Sequence, residues 1–194
     1  NTSDIYENDS KKQNKFIVYR EFMDEISVEK LRDIVDSHWK EFEKIYDINP
    51  RDIVRGLIST HYGWDQNFVD SIKIEWKKFR QNAISDLVKD IYNEIDNSGK
   101  GISLSAAVKP NILEARNRWN QDWISWLDND FIDFLVPMNY HKEIRHFNNS
   151  IQIIKSNLDH EDMNRIVMGV STYNQDAQSA ADKILLTRLN GFKG

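Results

Sequence analysis

From position 27 onward, residues suited to packing recur at steps of three and four: Val28, Leu31, Ile34, Val35, His38, Trp39, Phe42 and Ile45. That repeat is one face of an amphipathic helix, and Ser27 stands where its N-cap belongs. Asn49-Pro50 ends the run and opens a short helix. There Asn49 is the cap, Pro50 takes the first helical position, and Asp52 suits the positive end of the helix dipole. A second stripe, made of Ile72, Trp76, Phe79, Ala83, Ile84, Leu87, Val88, Ile91 and Ile95, predicts a long helix over about 68–95. Asn97-Ser98-Gly99-Lys100-Gly101 then supplies residues that tolerate a left-handed backbone and stop it.

After Gly101 the pattern changes. Short, almost wholly apolar runs predict parallel strands at about 102–108, 132–138 and 165–171. Between the first two lies a helical stretch with Trp119, Trp123, Trp126 and Leu127 on one side. Helices over about 147–158 and 177–189 follow the second and third strands. The order α-α-β-α-β-α-β-α is that of an α/β protein with helices covering a parallel sheet. Right-handed crossovers leave an open doubly wound sheet or a closed barrel. No Gly-rich phosphate loop follows any strand, which weighs against the dinucleotide-binding version. Three strands are too few to close a barrel, which takes eight strands and about 250 residues. We therefore read 1–194 as a single incomplete domain. Its parts are a polar arm over 1–26, a helical segment over 27–101 and a βαβαβα segment over 102–194.

Composition narrows the function without naming it. A chain of 194 residues with 40% hydrophobic residues can bury a core, and a formal net charge of -5 argues against nucleic acid or an anionic membrane as partner. No apolar run approaches the roughly 18 residues that span a bilayer. With no Cys there is no disulfide framework and no thiolate chemistry. The chain opens at Asn1 without Met or a signal pattern, so we expect an excised segment or a processed start.

Several phrases are more specific: Ile48-Asn49-Pro50-Arg51-Asp52-Ile53, Trp76-Lys77-Lys78-Phe79-Arg80 and Leu104-Ser105-Ala106-Ala107-Val108. Gln121-Asp122-Trp123, Ile132-Asp133-Phe134, Pro137-Met138-Asn139-Tyr140, and Gly169 with Tyr173 follow in order. Together they resemble the glycosyl-hydrolase-like 10 family of bacterial cell-envelope proteins over most of the chain. The resemblance implies a (β/α)8 TIM-type barrel, of which this chain would hold roughly the fifth, sixth and seventh strands. An Asp-Tyr-Ile-Arg-Tyr-Pro-like motif that family members usually carry on the fourth strand is absent from this sequence. The resemblance further implies hydrolysis of a polymeric envelope glycan such as peptidoglycan strands, outside the cytoplasm and with no cofactor. A non-catalytic glycan-binding barrel and a purely structural one are the rivals. This stretch by itself is expected to be inactive.

In such barrels the working surface is the C-terminal end of the strands. Glycoside hydrolysis commonly uses two carboxyl groups, about 5–5.5 Å apart for retention and roughly 6.5–9.5 Å for inversion. Asp122, between the first strand and the next helix, is the best acid in this chain. Its residue context alone also fits an acid at a helix N-terminus. That setting favours the charged form, so Asp122 suits a base, nucleophile or hydroxyl acceptor, with the second carboxylate on the missing upstream motif. Substrate-binding candidates are Gln121, Trp123, Asn139, Tyr140, Tyr173, Trp76 and Arg80. Alternation puts Met138 and Tyr140 on one face and Asn139 on the other, and a rim phenol has a polar partner to find. Trp126 belongs to the core, while Trp123 beside Asp122 is the indole placed to touch ligand. Lys109 is a rim residue. Asp133 begins its strand, at the wrong end for catalysis, and reads as structural. His61, His141 and His146 show no ligand spacing, and no metal is expected.

Overall fold

A computed structural model describes residues 28–193, so the arm expected over 1–26 and the Ser27 cap lie outside the described residues. The first helical repeat forms α1 (Val28–Tyr46). Asn49 then starts α2 (Pro50–Arg55) as its sequence predicts, its side chain accepting the Arg51 amide at 2.9 Å. After α3 (Ile58–Tyr62) comes α4 (Gln66–Asn97), which outruns the predicted stripe at both ends. It stops where the glycines allow, with Gly99 at φ 62° and Gly101 at φ 60°.

The chain divides into two compact units, Asn1–Ile72 and Lys73–Gly194, and the division falls inside α4. In the first unit Phe42, Ile48, Ile53, Ile58 and Val69 are buried. The α1 stripe is only partly a core stripe, because Val35 and Ile45 are exposed.

The second unit is built on a parallel sheet. β1 (Ser105–Val108) pairs with β2 (Phe134–Pro137), register running from Ser105↔Phe134 to Val108↔Pro137. On the other edge of β2 the segment 165–169 lies parallel through the bridges Leu135↔Ile166 and Met138↔Gly169. The amides of Leu135, Val167 and Gly169 donate to Arg165, Leu135 and Pro137 carbonyls at 2.8, 2.9 and 2.9 Å. Direction and order thus agree with the α/β reading, but the strands are shorter than expected. The third is a pair of bridges rather than a continuous strand over 165–171, and no closed barrel forms among the described residues.

Helices cover one face of this sheet. Val108, Leu135, Ile166 and Met168 pack with Trp126, Leu127, Phe147, Ile151 and Ile154 in one core. The opposite face, carrying Ser105, Ala107, Phe134, Val136, Met138 and Val167, is exposed or half-buried throughout. A parallel sheet normally has both faces covered, so this second face is the unusual one.

Two expectations need correction. The helical stretch after β1 is two helices, α5 (Ile112–Arg118) and α6 (Trp123–Asp128), separated where Asn120 takes φ 56°. Trp119 therefore closes α5 and is exposed instead of joining the buried stripe, while Trp126 is buried with its indole donating to Ser85 Oγ at 2.8 Å. Along α4 the stripe also loses its cover, because Ile84, Leu87 and Ile91 are exposed. Beyond β2 come α7 (Ile144–Lys155), α8 (His160–Met163) and α9 (Ala177–Leu189); α7 starts earlier than expected and α9 matches. Among the described residues no helix is long and apolar enough to cross a membrane.

Candidate active-site face at the strand ends

Because β1, β2 and the bridged segment are parallel, their C-terminal ends share one edge of the sheet. Lys109 follows β1 there, and its backbone is held on both sides. Its N–H donates to Gln121 Oε1 at 3.0 Å, and its carbonyl accepts the Trp123 indole N–H at 3.1 Å. Trp123 is fully buried. Gln121 and Trp123 are thus spent on fixing a strand end, which is what the Gln-Asp-Trp phrase accomplishes physically.

Asp122 stands between those two clamps. Its side chain caps no amide of α6; Oδ2 instead pairs with Arg116 Nε at 3.1 Å, with 22% of the side chain exposed. Arg116 is tied further, since its carbonyl accepts Gln81 Nε2 at 2.6 Å. The pairing supplies a positive group where sequence reasoning offered only a helix end.

At the end of β2 the predicted alternation holds. Asn139 is buried on the helical side, Nδ2 donating to the Phe147 carbonyl at 2.9 Å, and its Oδ1 is buried without a partner among the described residues. Tyr140, on the other side, is exposed. Its ring lies over Gly169: a Cβ there would come within 3.4 Å of Tyr140 Cε1. Tyr173, beyond the third segment, is 81% exposed. Asp122, Lys109, Tyr140 and Tyr173 are therefore gathered at one end of the sheet, whereas Asn139, Gln121 and Trp123 are engaged with the chain's own backbone.

Trp76 and Arg80 lie one turn apart on α4 as the spacing predicts, the Arg80 guanidinium carbon 5.4 Å from the centroid of the Trp76 ring. Burial lowers the Arg80 pKa, and its Nε is buried without a hydrogen bond among the described residues.

The opposite end of the sheet is structural, as Asp133 suggests. Asp133 Oδ2 accepts the Leu104 amide at 2.6 Å. Arg165 closes that end, donating to the carbonyls of Leu127 at 3.1 Å, Asp133 at 3.3 Å and Ile132. It also pairs with Asp130 at 3.0 Å and Asp162 at 3.4 Å. Burial and the neighbouring Asp159 raise the Asp162 pKa, against the pull of Arg165.

Sequence reasoning missed the polar residues behind Tyr140 and Tyr173. Ser171 and Lys183 are buried, and Gln175 lies between them. Burial lowers the Lys183 pKa, with Asp176 acting the other way. The signal was there to read: Ala180, Lys183 and Thr187 fall on one helical face, and the other two are small enough for a core. His141 and His146 face each other with ring centroids 5.8 Å apart, and His146 Nε2 lies 3.5 Å from Glu143. No three His, Asp or Glu side chains gather as a metal set among the described residues.

A family model described as Glycosyl hydrolase-like 10 matches residues 36–184 of the chain. Neither the curated proteins nor the solved structures yield a match.

Proposed function

The chain belongs to the glycosyl hydrolase-like 10 family, and from that premise we propose that it forms part of a glycoside hydrolase acting on a polymeric cell-envelope glycan, peptidoglycan strands in particular, outside the cytoplasm. In this reading 1–194 is one incomplete domain, an arc of a (β/α)8 barrel whose working end is the C-terminal edge of its strands. The open face bearing Phe134, Val136, Met138 and Val167 is the face that a closed barrel would turn inward.

The observation that carries the reading is the placement of Asp122. It is held between two clamps on the end of β1, at the same edge of a parallel sheet as Tyr140 and Tyr173. A carboxylate so fixed, with Arg116 beside it, serves as base or nucleophile at the anomeric carbon. The acid that protonates the leaving oxygen then comes from another strand end. Tyr140 and Tyr173 present phenol rings to the sugar. Gln121, Trp123 and Asn139 hold the backbone that carries these groups.

The second reading is a glycan-binding barrel without turnover. The ion pair that already occupies Asp122 favours it. Incubating the full-length protein with purified glycan strands separates the two. Release of shorter saccharides, reduced by at least about 10²-fold in Asp122→Asn with binding retained, is the expected result. Equal turnover by that variant removes Asp122 from the mechanism. Binding without any release by the native protein establishes the second reading.

A further inference from the structure

Lys183 is 1% exposed, a depth that lysine tolerates only when its ammonium is satisfied. It lies on the inner face of α9 with Ala180 and Thr187. Its Nζ donates to the carbonyls of His141 at 2.8 Å and Lys142 at 2.6 Å, and to Gln175 Oε1. Three donors meet three oxygens, all of them neutral. Two belong to the segment after β2, and the third to the segment after the bridged strand.

The path continues from Gln175. Its Nε2 donates to the Ser171 carbonyl, Ser171 Oγ donates to Asn174 Oδ1 at 2.7 Å, and Asn174 Nδ2 donates to the Tyr140 carbonyl at 3.2 Å. Tyr140 adjoins His141, where the path began. The hydrogen bonds close a circuit through both segments, and Lys183 is its only charge. Bonds from an ionised donor are roughly twice as strong as neutral ones. No neutral side chain of that length offers three N–H groups to three converging oxygens.

We infer that Lys183 is a positioning residue: its ammonium ties the segments 138–143 and 170–176 into one rigid rim and so sets where Tyr140 and Tyr173 stand. The tie follows from the circuit alone; only what the two tyrosines touch rests on the glycan reading above.

The test uses the full-length protein, native and as Lys183→Met, which keeps the aliphatic volume, and Asn174→Ala, which opens the circuit at its exposed far side. Amide hydrogen exchange is followed by mass spectrometry. Lys183→Met is expected to speed exchange at least about tenfold in both segments, with β2 and α7 within about twofold of native. Asn174→Ala should loosen the same two segments by at least about threefold. Loosening of one segment alone, or a uniform rise through the unit, overturns the inference. Should Lys183→Met fail to fold, Asn174→Ala decides alone, and unchanged exchange in it overturns the inference. With glycan strands as substrate, Lys183→Met is expected to raise KM at least about tenfold with kcat within about threefold; an unmoved KM refutes the role of the rim in placing the tyrosines. A native protein that releases no saccharides defeats the hydrolase reading, while the exchange result still decides the role of Lys183.

Discussion

Gly169 leaves room for the ring of Tyr140 and for the Pro137 carbonyl at the same time. A Cβ at 169 would stand 3.0 Å from that carbonyl oxygen and 3.4 Å from Tyr140 Cε1. The oxygen cannot withdraw freely, because it accepts the Gly169 amide at 2.9 Å as part of the parallel pairing. Gly169→Ala is therefore expected to destabilise the protein by about 1–3 kcal/mol and to push the Tyr140 ring outward. Urea denaturation gives the first quantity, and a shifted tyrosine ring resonance reports the second. A variant as stable as the native protein would mean that the bridged segment slides without cost.

Trp123→Phe removes one N–H and keeps most of a buried ring. The Lys109 carbonyl then loses its partner on one side while Gln121 still holds the amide on the other. The expected cost is about 1–3 kcal/mol, read from denaturant midpoints. Asp122 should move with the loosened strand end, so under the proposed hydrolase reading glycan turnover should fall as well, which the saccharide-release assay would show.

Asp176 caps α9: its Oδ1 accepts the Ser179 amide and its Oδ2 the Ser179 hydroxyl, at 2.8 and 2.9 Å. The backbone bond from Ser179, more than the hydroxyl, holds this carboxyl below its ordinary pKa. A group depressed in the folded state contributes stability in full above its unfolded pKa. That contribution is lost as pH falls through the folded value. The native chain should thus loosen at α9 on acidification below about pH 4. Asp176→Asn keeps a capping oxygen and should flatten that part of the acid profile, as judged by amide resonances at Ser179 and Ala180.

Arg165 satisfies three carbonyls and faces two carboxylates at the lower end of the sheet. Arg165→Met removes a donor from each of these carbonyl oxygens, of which only that of Leu127 is shown to keep another, the Asp130 amide at 3.0 Å, and is expected to cost about 2–4 kcal/mol. Asp162 already has a raised pKa from burial and from Asp159, and it loses its compensating charge in the variant. A carboxyl raised in the folded state gains stability as pH falls. The deficit of Arg165→Met should therefore shrink between pH 7 and about pH 4, which paired chemical melts at the two values would show.

Much of this was legible along the chain, and the reasons differ from place to place. Asn49-Pro50 and Gly99-Lys100-Gly101 act through local backbone rules, so α2 and the end of α4 fall where the residues place them. The apolar runs around Leu135 and Ile166 require a buried sheet, and its parallel direction followed from the intervening helices. Exposure along α4 was not legible, because periodicity marks the face of a helix suited to packing and says nothing of whether a neighbour covers it. At the strand ends, Gln121 and Trp123 are residue types that serve a sugar or a backbone equally well; only geometry shows that both are committed to Lys109. The circuit through Lys183 was hidden for another reason. Its partners are mainly carbonyl groups some forty residues away, and a main-chain oxygen leaves no mark on composition or motif.

That separation has a consequence for synthesis. The carbonyls of His141 and Lys142 precede their ammonium partner by 42 and 41 residues, so at roughly 5–20 residues per second they wait about 2–8 seconds on the ribosome before Lys183 is even polymerised. The paired strands can assemble during this interval, but the segments bearing Tyr140 and Tyr173 are joined through Lys183 only when α9 docks. A chain stopped before Lys183 would lack this tie and would also lack Leu186 and Phe192, which pack in the core, so the rim and part of the interior are completed together by the same late segment.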